Sequence, residues 1–172
     1  MEASTVEVVR PIKPPGRIHG ECPIRHVSCS IRHMHDFTIL VAPGAFASAV
    51  AVTVDLLSAA AAIAPRLKMS PPTWKLRALA PGPVQLSNGL SIAAPPLARS
   101  RGPDRSIWVV PGLSTHTTTA VDHRLAQADV IAALPLLRYH VNKGGTVAAS
   151  CSGVFLLQEA GLLVDRKVTT SW

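Results

Sequence analysis

The sequence predicts an α/β protein: a three-layer fold with a mainly parallel sheet flanked by helices. Short runs of β-branched and small apolar residues recur at 37–42, 106–110 and 146–150, each the length of a buried strand. The first two stop at Pro43-Gly44 and Pro111-Gly112, and the third stops at Cys151. Stretches with helical spacing lie between them, as parallel strands joined by crossover helices require. Right-handed crossovers follow.

The elements can be justified in order. Residues 1–35 carry Pro11, Pro14, Pro15 and Pro23, several arginines and no lasting periodicity, so they read as a disordered basic tail. Its histidines, His19, His26, His33 and His35, are spaced too irregularly for a metal site. Ordered pattern begins just after Met34, which makes Met34 a candidate for the true start. A single domain, 36–172, follows. Its first strand run, 37–42, precedes a helix at 46–64 with Val50, Val54, Leu57 and Ala61 on one face, stopped by Pro65. The alternation at 74–80 is a strand closed by Pro81-Gly82-Pro83, and 90–93 is a weaker one. A Pro- and Arg-rich loop, 94–104, leads into the buried strand 106–110. A helix at 121–142 is expected next, with Pro135 as the place where it would break. Gly144-Gly145 opens the third run, a further helix follows it, and 167–170 begins another strand. Trp74 and Trp108 read as core residues.

Composition narrows the class. The chain has 172 residues, 48% of them hydrophobic, and a mean hydropathy of +0.29, enough for a substantial core. The apolar stretch 45–64 is broken by Ser48, Thr53, Asp55 and Ser58 and reads as a packed helix, with no membrane partner expected. Glu2 and Glu7 and the lack of a continuous apolar core argue against a secretory leader. Cys22, Cys29 and Cys151 are too few and scattered for a disulfide framework, so a reducing, cytoplasmic location is expected. The net charge of +7 is spread along the chain without a dense run or interleaved aromatics, which suits a basic surface better than a nucleic-acid site.

The turn at Cys151 carries the chemistry. A strand stops at a thiol, Ser152-Gly153 turns the chain, and a helical pattern begins at once. This is the cysteine counterpart of a nucleophile elbow. Such a turn holds a thiol beside backbone N–H groups at a helix start, a setting that activates sulfur and welcomes an anion or a polarised oxygen. The plain alternative is that Cys151 is a small buried core residue.

The elbow segment 148–172 resembles the PfpI-like, class I glutamine amidotransferase-like superfamily. More narrowly, its Ala160-Gly161-Leu162-Leu163 and Thr169-Thr170-Ser171-Trp172 resemble the N-terminal sensor domain of AraC-type transcriptional regulators. Residues 107–112 resemble the strand and turn supplying part of that family's oxyanion site, and 37–44 its first strand. The resemblance covers roughly 36–172. It implies a ligand site at the carboxyl ends of the strands, lined by Pro43, Gly44, Pro111, Gly112, Cys151 and Ser152. The N–H groups of Gly112 and Ser152 would be the anion or carbonyl binders. It also implies a homodimer, an unidentified small-molecule ligand, and DNA contact only through a C-terminal domain absent here. No cofactor or metal is implied.

Departures from the pattern decide the expected function. Where catalytic relatives place a histidine, this chain has Ser152 and Ser171, and 43–48 lacks the glutamate of hydrolase-like relatives. His116 is the remaining candidate base. A thiol without base or acid has lost the geometry of nucleophilic catalysis, so the expectation is a catalytically inactive ligand-sensing or oligomerising module. The alternatives are a cysteine-dependent hydrolase or hydratase using Cys151, and a truncated product without function of its own. A complete sensor domain would continue beyond Trp172, so the sheet is expected to lack its last strand and to leave an edge unpaired.

Overall fold

Backbone pairing along four of the predicted strand runs, joined by a strand at Val6–Val9, builds one five-stranded sheet. The structure, a computed structural model, describes residues 6–9, 36–100, 102 and 104–170. The strands are β1 (Val6–Val9), β2 (Asp36–Val41), β3 (Thr73–Ala78), β4 (Val84–Gln85), β5 (Ser91–Ile92), β6 (Ile107–Val110) and β7 (Thr146–Ser150). The helices are α1 (Ala47–Ile63), continued by a 3-10 turn (Ala64–Leu67), then α2 (Thr118–Leu125), α3 (Ala128–Asn142) and α4 (Val154–Glu159). The sheet order is β1-β7-β6-β2-β3. Four neighbours, β7, β6, β2 and β3, run parallel, and β1 lies antiparallel on the outer edge of β7. Strands β4 and β5 form a separate hairpin.

Alternation along the strands divides the core. Leu40, Ala42, Trp108, Val110, Val147 and Ala149 pack against Val130, Leu134, Leu137 and Val141 of α3 and Leu156 and Leu157 of α4. Val41 and Ala78 turn the other way, toward Val50 of α1 and Val84 and Leu86 of the hairpin region. Helices thus flank the parallel strands as predicted.

Several elements differ from expectation. The break in the long helix falls at Ala126-Gln127. The Thr117 side chain caps α2 by accepting from Ala120 N, and Asp129 sits in the first turn of α3. Pro135 lies inside α3 without ending it. It is exposed, so the carbonyl it frees is on the wet side, where water can serve it. The weaker strand at 90–93 shrinks to β5 and pairs with β4, which the sequence reading did not find. Residues 167–170 form no strand. The outer edge of β7, the place for another strand, is taken by β1, with Val6 opposite Ser150 and Val9 opposite Val147. That strand falls within 1–35, which the sequence reading left without regular structure. The tail's histidines, Cys22, Cys29 and Met34 lie outside the described residues. Helix α1 buries its predicted face only in part: Val50 is buried, Val54, Leu57 and Ala61 are half-buried, and most of the remainder is exposed.

At the amino ends of β6 and β7 the core closes around a histidine. The His140 ring stacks on Trp108 at 4.2 Å between centroids, 10° from parallel, and its Nε2 donates to the Thr146 carbonyl (3.2 Å). Trp108 Nε1 donates to Asp104 Oδ2 (3.1 Å), and Ser106 donates to Oδ1 from both its backbone and its hydroxyl. Burial raises the Asp104 pKa, but these hydrogen bonds from Ser106 and Trp108 outweigh it and the net shift is downward. Burial dominates for His140 and lowers its pKa from the ordinary 6.5, the Thr146 contact opposing it in part. Gly145 leaves the space that the ring fills: a Cβ there would lie 2.3 Å from Nε2.

The unfolded chain therefore takes up a proton at His140 more readily than the folded one. Stability is full above about pH 6.5 and falls as pH drops through the lowered folded value. Urea titrations between pH 8 and 5 are expected to show that loss, with a smaller loss in His140→Gln. Gly145→Ala is expected to destabilise the fold by about 1–3 kcal/mol by driving a methyl into the stacked ring, read as a lower Tm.

Candidate functional site at the elbow

Buried Val147, Ala148 and Ala149 bring β7 to its end, and the chain reverses at Cys151 with φ +54°. That left-handed conformation costs a non-glycine residue roughly 1–2 kcal/mol, and it turns the chain from strand into the 3-10 turn Cys151–Gly153 and then α4. Close backbone approach holds it there. A Cβ on Gly153 would sit 2.5 Å from the Val110 carbonyl oxygen and 2.8 Å from that of Pro111, so only glycine fits. A Cβ on Gly112 would lie 3.0 Å from Cys151 Cβ and 3.4 Å from Sγ.

Ser152 fastens this contact. Its hydroxyl donates to the Leu113 carbonyl oxygen (2.7 Å) and accepts from Leu113 N (2.9 Å), all of it buried. A second row of bonds joins the β6 turn to the β2 turn: Phe46 N to the Gly112 carbonyl (2.9 Å), Ser114 N to the Gly44 carbonyl (3.0 Å), and a bridge between Ala45 and Leu113. Gly44, at φ +73°, makes the β2 turn.

The predicted residues Gly44, Pro111, Gly112, Cys151 and Ser152 are thus brought together at the carboxyl ends of β2, β6 and β7, where open α/β sheets place their ligands. Cys151 is half-buried above Gly112 and Ser152, which are buried. Pro43 stands slightly apart. Its carbonyl accepts from Arg124 Nε (3.1 Å), and it lines a cleft of about 630 Å³ with Leu79, Pro81, His123 and Gln127. Arg124 itself is fixed by a two-pronged ion pair with Asp129, at 2.9 and 2.5 Å.

His116, the candidate base, is exposed and packs edge-on against Phe46, ring centroids 5.9 Å apart. Thr170 Oγ1 donates to the Cys151 carbonyl (3.0 Å), so the segment expected as a strand returns over the elbow instead. Ser171 lies outside the described residues. Sequence reasoning missed Leu113, Phe46, Arg124 and Thr170; only the Pro-Gly turns beside the first two pointed to them.

A parallel sheet with a thiol at φ +54° after the strand beside β6 can be set against solved structures. The chain has the DJ-1/PfpI-like fold. It superposes on a proposed transcriptional regulator protein from Vibrio parahaemolyticus with a TM-score of 0.55 and 20% identity, over 76% of this chain and 63% of that one. The proposed protease I from Bacteroides thetaiotaomicron gives 0.55 and 11% identity over 74% and 69%. Drosophila melanogaster DJ-1beta gives 0.49 and 20% over 75% and 61%. The chain spans less than two thirds of the length of the Vibrio and Drosophila proteins. No protein-family model and no curated protein matches the sequence.

Ser152→Ala removes both bonds to Leu113 and leaves its buried N–H unserved, while the carbonyl keeps its bond from Thr115 N. The expected cost is about 2 kcal/mol, measured by denaturant unfolding. Gly153→Ala should cost more, because its methyl meets rigid backbone.

Proposed function

We propose that this chain is a small-molecule-sensing module of a transcriptional regulator in which the elbow recognises ligand and performs no covalent chemistry. The observation that carries the reading is the Ser152–Leu113 pair. The hydroxyl's one proton is committed to the Leu113 carbonyl and a lone pair to Leu113 N, so the residue beside the thiol works as a clamp and cannot serve as its base. The ligand would lie over Gly44, Pro111, Gly112, Cys151 and Ser152, with Pro43 at the margin. A small polar molecule bearing a carbonyl or carboxylate suits a rim of buried turns around a half-buried sulfur. The likeness to the Vibrio protein supports a regulatory setting, and DNA contact would belong to a domain outside this chain.

The strained backbone at Cys151 favours a second reading, because such strain collects where it is used. In that reading Cys151 attacks a small carbonyl or amide, the N–H groups of Gly112 and Ser152 hold the oxyanion, and His116 is the candidate base.

One set of measurements separates the two. Wild type and Cys151→Ala are assayed for turnover of a panel of small aldehydes, amides and esters, and for thermal stabilisation by the same compounds and by small carboxylates. Sensing predicts stabilisation by some member of the panel with no turnover by either protein, and retention of that stabilisation in Cys151→Ala within about tenfold in affinity. Turnover by wild type that vanishes in Cys151→Ala would overturn it.

A further inference from the structure

The Pro- and Arg-rich loop at 94–104, which the elbow does not use, walls a second cavity. Strand register sets Lys75 beside Thr38, Arg77 beside Leu40, and Thr38 beside Trp108. Side chains at paired positions share a face of the sheet, so Lys75 and Arg77 stand on the face that Leu40 and Trp108 present to α3. Ala78 N donates to the Pro95 carbonyl (2.9 Å), and the Ala78 carbonyl accepts from Leu97 N (2.7 Å). These bonds fasten the loop to the outer edge of β3. Between loop and sheet lies a pocket of about 320 Å³, lined by Thr38, Lys75, Arg77, Leu97, Arg99 and Asp104. It shares no residue with the elbow.

The lining is charged and unbalanced. Lys75, Arg77 and Arg99 bring three positive charges, and none of them forms an ion pair with a described residue. The carboxylate there, Asp104, is engaged by Ser106 N, the Ser106 hydroxyl and Trp108 Nε1, all of which donate to it. Three cations less one carboxylate leave two positive charges around one small cavity. Like charges held together oppose one another until an anion joins them. Arg99 is placed in advance, its guanidinium 4.0 Å from the centroid of the Tyr139 ring. Less ordering is then left to be done on binding.

We propose that this pocket binds a phosphoryl group, as free phosphate or at the end of a small phosphomonoester. A phosphoryl group carries roughly −1.5 to −2 at neutral pH, which matches the two charges left over, whereas a carboxylate would neutralise one. Guanidinium forks and a lysine ammonium are donors suited to its oxygens. At about 320 Å³ the cavity is at the small end of ligand sites, so the rest of the ligand is compact. Pro96, Leu97 and Ala98 give its carbon skeleton an apolar wall. A nucleic-acid strand needs cations strung along a groove, and these converge on one pocket. Charges on an edge strand also discourage pairing between sheets, but that role predicts no ligand.

The test is isothermal titration of the full chain with inorganic phosphate, glycerol 3-phosphate and acetate. One phosphoryl ligand per chain is expected, with a Kd below about 1 mM and binding of acetate at least tenfold weaker. Tighter binding of glycerol 3-phosphate assigns the site to phosphomonoesters, and tighter binding of inorganic phosphate assigns it to the free ion. Arg77→Gln and Lys75→Met should each weaken that binding by about tenfold or more, with circular dichroism unchanged. Arg66→Gln removes an exposed cation outside the pocket and should leave the affinity unaltered. Absence of binding by both phosphoryl compounds at about 10 mM overturns the proposal. Acetate bound as tightly as phosphate, or equal losses in Arg66→Gln and Arg77→Gln, overturns it as well.

Discussion

Two hydrogen bonds between one hydroxyl and one residue's backbone hold together the turns around Cys151. Ser152 bonds Leu113 through both its N–H and its carbonyl, and so joins the reversal after β7 to the loop after β6. Leu113 is also bridged to Ala45, and Gly112 and Ser114 bond Phe46 and Gly44. Gly44 N and Ser87 N then carry the connection to the β4–β5 hairpin through Gln85 and Ala45. The carboxyl ends of β7, β6 and β2 are thus laced by backbone bonds at the level where Cys151 sits. The left-handed conformation of Cys151 persists because its neighbours on both sides are fixed in this way.

The two ends of the sheet are built on different physics. At the carboxyl ends, backbone lies against backbone with glycine at the contacts, beside the half-buried Cys151. At the amino ends, a stacked Trp108–His140 pair and a satisfied Asp104 fill the space with side chains. In the first arrangement the segment ending at Thr170 returns over the turn, its hydroxyl bonding the Cys151 carbonyl. The second closes the core and ties its integrity to the protonation state of one ring.

Much of this was legible in the chain. The strand runs, the Pro-Gly stops and the elbow are local signals, and each lies within a few residues of the structure it dictates. The partner of Ser152 was not legible, because Leu113 is 39 positions away and nothing about a leucine advertises its backbone. The helix break was misplaced because Pro135 is the louder signal, yet an exposed proline can remain inside a helix while the chain breaks at Ala126-Gln127, where no side-chain cap marks the start of α3. Residues 167–170 have strand composition, but composition cannot say that the neighbouring edge is already occupied. The turns that bring the candidate residues together were legible, and the side chains around them were not.

Strand β1 has a consequence for how the molecule comes into being. It lies near the start of the chain, yet its partner, β7, is separated from it by most of the chain's length. During synthesis β1 leaves the ribosome with nothing to pair with, and the sheet behind it must assemble from β2 onward first. Among the described residues, closing that contact is the most non-local pairing, and the ordering entropy of the intervening chain stands against it until the four parallel strands exist. Its docking would be a late step, and the edge of β7 stays open to any other extended segment until it happens.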